Sequence, residues 1–304
     1  MLPIDMIMGE TKEEYFTGRF SADFPLSMDI SCFDGFSQRF YPWHWHKEIE
    51  IFMVDAGVIC YRYSEGEYVI RAGEGGMINS NILHSLTSRE NSRTDRTVTF
   101  IVDAELLAGK AGNVIDVKYI QPLIRSENLP FVRFRAGDPR VATIQIMRGL
   151  MEQRPNGYEI KIRSLLSDIW MQTLEENKEH LQDGGGELKE TQERMKQMLR
   201  CMQQRYAEKL TVRQIAQSAN ISERECQRCF RRSMDCTPVE YLTSIRVQQA
   251  ALQLVQTQKS ILEIGLSCGF GSGSYFGKKF CDVMHCSPRE YRNQYQQRRE
   301  KNIK

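Results

Sequence analysis

Three histidines and one glutamate in the first third of the chain have the residue types and the spacing of a metal-binding or ligand-binding cluster. His44 and His46 are separated by one residue, Glu50 follows four residues later, and His84 lies further along the chain. Side chains alternate along a β-strand, so His44 and His46 should point to the same side, where Glu50 and His84 could join them. Three imidazoles and a carboxylate would suit iron, manganese, nickel or zinc.

The same cluster could instead belong to a pocket for a small molecule. Several aromatic residues lie nearby in the sequence and could line a sugar-sized pocket, although aromatic side chains on strands belong more often to the core. They are Phe40, Tyr41, Trp43, Trp45, Tyr61 and Tyr63.

The spacing H-x-H-x(3)-E-x(6)-G, followed by Gly73, Glu74 and His84, resembles the pattern of the cupins, which are β-barrels. Metal-binding cupins carry Gly where this chain has Gln38, and they carry Asp and Pro where it has Glu74 and Ser80 or Asn81. The resemblance therefore implies a cupin-like barrel that binds an effector without a cofactor or a metal. The expected pocket residues are Trp43, His44, His46, Glu50, Tyr61 and His84. Two alternatives remain open: a metal on the three histidines and Glu50, and a barrel that serves mainly for dimerisation or protein contacts.

The C-terminal third contains an internal repeat, and its two copies predict two helix-turn-helix units. One set of residues recurs 49 positions later, and the blocks CTPVEY and CSPREY recur 50 positions apart. The matched pairs are Thr211 and Ser260, Ile215 and Ile264, Ala216 and Gly265, Asn220 and Gly269, and Ile221 and Phe270. Thr and Ser suit helix N-caps, a small residue allows two helices to cross closely, and Asn or Gly suits a left-handed turn.

The residues that each second helix leaves facing outward indicate what the units bind. Ser222 and Ser272 should cap these helices. In the first unit the outward residues are Arg224, Gln227, Arg228 and Arg231. Arg and Gln are the side chains that recognise guanine and adenine edges in the major groove, so we expect double-stranded DNA as the partner.

The two units resemble the DNA-binding region of the AraC/XylS family of transcription regulators, over about residues 190–296. The segments LTVRQIAQSANISERECQRCFRRSMDCTPVEYL and ILEIGLSCGFGSGSYFGKKFCDVMHCSPREYR carry the resemblance. It implies base contacts from the matching positions, and Lys279 is expected on the DNA backbone. The implied positions are Arg224, Gln227, Arg228, Gly273, Ser274, Gly277 and Lys278. The chain departs from the family at Asp235 and Cys226 in the first helix-turn-helix unit and at Gly273 and Gly277 in the second. The two glycines leave the second unit with few side chains that could contact bases.

These patterns together predict an α+β chain with two domains. Strand-like stretches between residues 40 and 102 predict the cupin-like β-barrel, and an apolar stripe over residues 162–174 predicts a helix that pairs subunits or docks the DNA-binding domain. The glycine run predicts a linker at residues 183–187. It separates an effector-binding and dimerisation domain (1–182) from an all-α domain (188–304), whose two units are joined by a long helix.

Charge and composition agree with this division. Residues 188–304 carry 21 Lys and Arg against 11 Asp and Glu, a charge of +10, whereas residues 1–187 carry 20 against 28, a charge of −8. A basic module beside an acidic remainder is typical of a polyanion-binding domain attached to another function. No apolar run is long enough to span a bilayer, so we expect no membrane contact. The cysteines do not have the spacing of a disulfide framework, so we expect reduced thiols and a cytoplasmic protein. We also expect a homodimer.

The function expected from the sequence is therefore that of a non-enzymatic transcription regulator, with activation through RNA polymerase as one mode of action. Its effector would be a small molecule, for example a sugar or a related metabolite. The alternatives are a metal-dependent cupin enzyme fused to a DNA-binding module and a regulator that senses no ligand and uses the barrel only to oligomerise.

Overall fold

The computed structural model describes residues 23–33, 40–63, 66–89, 94–126, 128–181 and 186–293. These residues form two compact units, Met1–Gln192 and Glu193–Lys304. The first unit contains the described strands, and the second is helical. The chain therefore has the mixed α+β class that the sequence predicts.

The described strands of the first unit form two antiparallel sheets. The strands are Leu26–Cys32 (β1), Phe40–His44 (β2), Ile49–Ala56 (β3), Val58–Tyr63 (β4), Gly66–Arg71 (β5), Gly75–Ile78 (β6), His84–Ser88 (β7), Arg96–Val102 (β8) and Phe131–Phe134 (β9). One sheet has the order β1-β8-β3-β6-β9 and the other has the order β2-β7-β4-β5. The strands β2 to β8 lie within residues 40–102, where the sequence predicts strands.

Alternation along β3 sorts its side chains into two cores. Ile49 and Ile51 join a cluster that includes the helices of this unit. Phe52 and Val54 join a second cluster that also contains Tyr61 from the other sheet. Since Glu50 shares its strand face with Phe52 and Val54, it points into the space between the two sheets.

Helices cover the outer face of the larger sheet. They are Glu105–Ala108 (α1), Gln121–Ile124 (α2), Pro139–Gln153 (α3) and Tyr158–Glu176 (α4), with a π-helical turn at Asp116–Ile120 and a 3₁₀ turn at Lys178–His180. Asp138 caps α3 by accepting from the backbone N–H of Arg140. Pro139 opens the helix, where its missing N–H costs nothing.

The apolar stripe on α4 has a different role from the predicted one. Ile162, Leu166, Ile169 and Leu174 are buried in the same core cluster as the large sheet. The expectation that this stripe pairs subunits or docks the DNA-binding domain is therefore wrong, because the stripe is buried in the core of its own unit, where α4 packs against α1 and α3.

The second unit follows the predicted repeat. The helix Gly186–Arg205 (α5) spans the division at Gln192 and Glu193. The helices that follow are Val212–Ser218 (α6), Glu223–Met234 (α7), Pro238–Gln256 (α8), Ile261–Ser267 (α9) and Gly273–Met284 (α10), and residues 288–293 are also helical. Thr211, Thr237 and Ser260 each form a capping box with the residue three positions later. The long helix α8 joins the two units, with Val247 and Leu254 among its buried residues.

The turn inside each helix-turn-helix unit has the predicted residue in the left-handed conformation. Asn220 has a φ of 53° and Gly269 a φ of 84°. A Cβ on Gly269 would also lie 2.7 Å from the carbonyl oxygen of Tyr206. Asp235 adopts a φ of 51° at the end of α7, so it fills a position that glycine would adopt more easily.

The two helix-turn-helix units use different side chains where their helices cross closely. A Cβ on Gly265 would lie 2.7 Å from a ring carbon of Phe276, which is fully buried. The equivalent residues of the first unit are Ala216 and Cys226, both buried. The first unit therefore combines a larger residue on the first helix with a smaller one on the second, which accounts for the departure at Cys226.

The predicted linker lies at the edge of the described residues. Residues 183–185 lie outside them, whereas Gly186 and Glu187 already belong to α5, and the two compact units divide at Gln192 and Glu193. Among the helices of the described ranges, none is both long and apolar enough to cross a membrane.

The crossing contact in the second unit can be tested by stability. Gly265→Ala should lower the free energy of unfolding by about 1–3 kcal/mol, the usual cost of overpacking a core, although alanine is the better helix former. The matched control is Gly277→Ala in α10, where a Cβ meets no atom within 4 Å. It should stabilise the helix by up to about 1 kcal/mol. Urea denaturation followed by circular dichroism measures both, and equal effects of the two substitutions would contradict the contact.

Candidate functional site

The predicted cluster of histidines and glutamate comes together inside the first unit. His44, His46, Glu50 and His84 are all buried, and their potential ligand atoms all lie within 4.8 Å of one another. His44 and His84 are directly opposite each other on β2 and β7, with ring centroids 4.1 Å apart. The strand β2 ends at His44, so His46 is placed by the turn that leads into β3 and not by strand alternation.

Backbone carbonyls orient two of the imidazoles. His46 Nδ1 lies 2.9 Å from the carbonyl oxygen of Glu48, and His84 Nδ1 lies 2.8 Å from that of Ile82. A carbonyl oxygen can only accept, so both Nδ1 atoms must donate. The lone pair of each neutral ring is then on Nε2, on the side of Glu50. Neither carbonyl contact could be predicted from the sequence motif, because every residue has a backbone carbonyl and the residue types do not show which one accepts.

Glu50 completes the cluster electrostatically. Its Oε2 lies 3.1 Å from His84 Nε2 and 3.6 Å from His46 Nε2. Burial by itself would raise the pKa of the Glu50 carboxyl, but hydrogen bonds and charge from His46 and His84 hold this pKa well below its usual range. A carboxylate and an imidazole lone pair repel each other at such distances. The arrangement therefore requires a cation between them, either a proton on the ring or a metal ion.

The structure separates the other expected pocket residues from this cluster to different degrees. Tyr61 is buried and stacks on Phe52 with ring centroids 3.9 Å apart, and burial raises the pKa of its hydroxyl well above the usual value. Trp43 is half-buried and directly precedes His44 in β2, where the pairing with β7 shifts register between Tyr41 and His44. Glu74 pairs with Arg133 at 2.8 Å and does not belong to the metal-ligand set among the described residues.

In the C-terminal compact unit, α7 is the second helix of the first helix-turn-helix unit, and it has one buried face and one basic face. Cys226, Cys229 and Phe230 are buried. Four predicted DNA-binding residues are exposed on the other face: Arg224, Gln227, Arg228 and Arg231. Ser222 caps the helix by accepting from the N–H of Glu225.

Glu225 is a neighbour of this face that the sequence analysis missed. Its Oε1 accepts a hydrogen bond of 2.8 Å from Nη2 of Arg228, whose side chain is 75% exposed. This pair lowers the pKa of the Glu225 carboxyl. The i,i+3 spacing of the two residues was the available signal.

The corresponding face of α10 carries fewer long side chains than that of α7. Ser272 caps the helix, Ser274 and Lys278 are exposed, and Gly273 and Gly277 contribute no side chain. Lys279 is half-buried beside α10's own Asp282, with Nζ 3.3 Å from its carboxylate. Tyr275, which is 47% exposed near the start of α10, is an outward side chain that the sequence analysis did not select.

Comparison with known proteins agrees with both halves of this description. A helix-turn-helix domain model matches residues 215–294, and an AraC-like ligand binding domain model matches residues 32–126. The uncharacterized HTH-type transcriptional regulator YdeC of Bacillus subtilis is 30% identical over 83% of this chain and 86% of its own length. The HTH-type transcriptional activator RhaS of Yersinia pestis is 23% identical over 84% of this chain and 91% of its own.

Among solved structures, ToxT of Vibrio cholerae aligns with 88% of this chain and 98% of its own at 16% identity, with a TM-score of 0.45. That score is too low to carry an argument, so the assignment rests on the sequence relatives. An AraC-like ligand-binding domain precedes a helix-turn-helix domain, and YdeC matches most of both chains. This protein therefore belongs to the AraC family of DNA-binding transcription regulators.

Proposed function

We propose that this protein acts in the cytoplasm as a homodimer without enzymatic activity, and that a ligand bound among His44, His46, Glu50 and His84 changes its occupancy of an operator. Residues 1–182 would bind the effector and dimerise, and residues 188–304 would bind DNA, joined at residues 183–187. The observation that carries the proposal is the face of α7, which holds Arg and Gln side chains outward over a buried anchor. Such a face on a basic domain is what base recognition requires.

The two helix-turn-helix units would have unequal tasks. In the first, Arg224, Gln227 and Arg228 would contact bases, and Arg231 would contact either bases or phosphate. In the second, Lys278 is the one long exposed side chain among the expected positions of α10, and a lysine serves equally well as a phosphate partner. The second unit would therefore add affinity more than sequence preference, with Ser222 and Ser272 positioning the helix starts.

Ligand binding can control DNA occupancy only through a difference in affinity between two states of the protein. A buried cluster suits this task, because filling it changes the packing of β2, β3 and β7 together. RhaS is described as a transcriptional activator, and we infer by analogy that this protein also activates transcription, through contact with RNA polymerase.

A metal-dependent function is the second candidate, and the ligand geometry favours it. Three imidazoles and one carboxylate lie within 4.8 Å of one another, and the carbonyl contacts of His46 and His84 are the outer interactions that orient metal-bound histidines. A divalent transition metal that takes more than four ligands would, if these residues held it, keep a position open for an effector with oxygen or nitrogen donors. A metal-dependent enzyme fused to a DNA-binding module would use the same residues.

Base recognition by the first unit predicts a difference between two substitutions of Arg228. Arg228→Ala should weaken operator binding by about 1–3 kcal/mol if the guanidinium makes a bidentate base contact. Arg228→Lys keeps the charge but loses the planar fork, so it should lose base preference while retaining the dependence of affinity on salt. Fluorescence anisotropy over a range of salt concentrations, with the operator and with a base-changed operator, measures both. Unchanged operator affinity for Arg228→Ala would refute this role.

The metal candidate predicts the composition of the purified protein. Full-length protein prepared without added metal should contain about one divalent transition metal ion per chain, since the cluster offers four suitable ligands. His84→Ala should lose the metal, whereas His285→Ala, which removes an exposed histidine outside the cluster, should retain it. Elemental mass spectrometry measures the content. A folded wild-type protein without metal, even after incubation with Zn²⁺, Ni²⁺, Mn²⁺ or Fe²⁺, would leave the metal-free effector site as the remaining proposal.

A further inference from the structure

Glu225 lies between the buried face and the basic face of α7, and contacts on the inner side hold it there. Its side chain is only 26% exposed. The buried thiol of Cys229 donates to Glu225 Oε1 at 3.6 Å, and the backbone N–H of Glu225 donates to the hydroxyl of Ser222 at 3.2 Å. Arg228 lowers the pKa of the Glu225 carboxyl most, and Arg194 of α5 lowers it further. Glu225 is therefore a fixed and charged carboxylate.

The same carboxylate oxygen holds Arg228 on the outer side of the helix. Nη2 of Arg228 donates to Glu225 Oε1 at 2.8 Å, although 75% of the arginine side chain is exposed. An exposed arginine without such a bond samples many rotamers, and ordering it on DNA costs free energy. A guanidinium has five N–H donors, so a bond to Glu225 still allows a bidentate contact with O6 and N7 of one guanine. The carboxylate therefore orients the arginine fork before DNA is bound.

The second helix-turn-helix unit has no carboxylate at the matching position. The repeat places Tyr275 at the position of Glu225 and Lys278 at that of Arg228, 50 residues later in both cases. Lys279 Nζ lies 5.9 Å from the centroid of the Tyr275 ring, so an aromatic ring with a neighbouring cation replaces the ion pair there. A lysine ammonium has no planar fork to orient. The pairing of a carboxylate with an outward cation thus belongs to the unit that carries the arginine.

We infer that Glu225 is a positioning residue that gives the first helix-turn-helix unit sequence preference through Arg228. This inference rests on the proposed recognition of bases by Arg228 and specifies how that side chain selects a base over a phosphate. Non-specific binding comes from phosphate contacts, which carry no sequence information. A phosphate must compete with the Glu225 carboxylate for Arg228, and the same carboxylate repels it. A guanine edge is neutral and accepts from the oriented fork, so specific binding keeps the ion pair intact.

The test compares two DNA duplexes bound to the full-length chain. One is a duplex that the wild type selects from a random-sequence library, and the other is changed at the base pair where Arg228→Ala loses preference. The readout is the dissociation constant for the changed duplex divided by that for the selected duplex. Glu225→Ala should lower this ratio by about 2- to 5-fold, the size expected of an exposed charge pair. It should also steepen the salt dependence for the changed duplex by up to about one unit, because Arg228 becomes available to a phosphate.

The matched control is Glu223→Ala, which removes the same charge from the first turn of α7 at an exposed residue. It should leave the ratio unchanged, even if both affinities rise together. Glu225→Gln keeps one acceptor oxygen without the charge, so its ratio should lie between those of the wild type and Glu225→Ala. In an Arg228→Ala background, Glu225→Ala should change the ratio no further, because the side chain that it positions is gone.

The outcomes separate this inference from the proposed function. An unchanged ratio for both Glu225→Ala and Glu225→Gln, an equal fall for Glu223→Ala, or a fall that persists in the Arg228→Ala background would overturn the positioning role and leave DNA binding in place. A wild type that selects no sequence, or a selected sequence whose preference does not depend on Arg228, would overturn the base recognition on which the inference rests. Circular dichroism confirms that each variant is folded before its ratio is compared.

Discussion

The surface proposed to contact DNA depends on one steric constraint: the first helix of each helix-turn-helix unit must let the second helix cross at van der Waals distance. Gly265 satisfies it against Phe276 by having no Cβ, and Ala216 satisfies it at the position paired with the smaller Cys226. Once the crossing is set, the left-handed turn residue and the serine cap leave each second helix a single orientation. The buried faces of α7 and α10 are then anchored, and their outward residues form the surface that we propose contacts DNA.

A second constraint governs the N-terminal compact unit, where Glu50 is a buried carboxylate that cannot remain charged without a cation nearby. The imidazoles of His46 and His84 supply proton or metal ligation, and backbone carbonyls hold both rings in position. The cluster joins β2, β3 and β7, so a change in its occupancy reaches both sheets. This is the chemical basis on which a ligand could alter the effector domain.

The repeat made the C-terminal compact unit highly predictable, because its helix caps, small crossing residues and turn residues each have a local physical reason that recurs at fixed spacing. The histidine cluster was also predictable as a set, although His46 reaches it from a turn and not from the expected strand. The apolar stripe on α4 predicted the helix but not its neighbour, since a stripe shows that a face is covered and not by what. The carbonyl contacts of Glu48 and Ile82 and the pairing of Lys279 with Asp282 depend on tertiary geometry and leave little trace in the sequence.

The central claim is that one chain carries two structurally equivalent helices with unequal capacity to read DNA. A saturation scan of one operator half-site, measuring affinity for every single base change, tests it most directly. The account predicts costs of about 1–3 kcal/mol for base changes under α7 and clearly smaller costs under α10, apart from changes that alter DNA shape. Equal base preference under the two helices would contradict it.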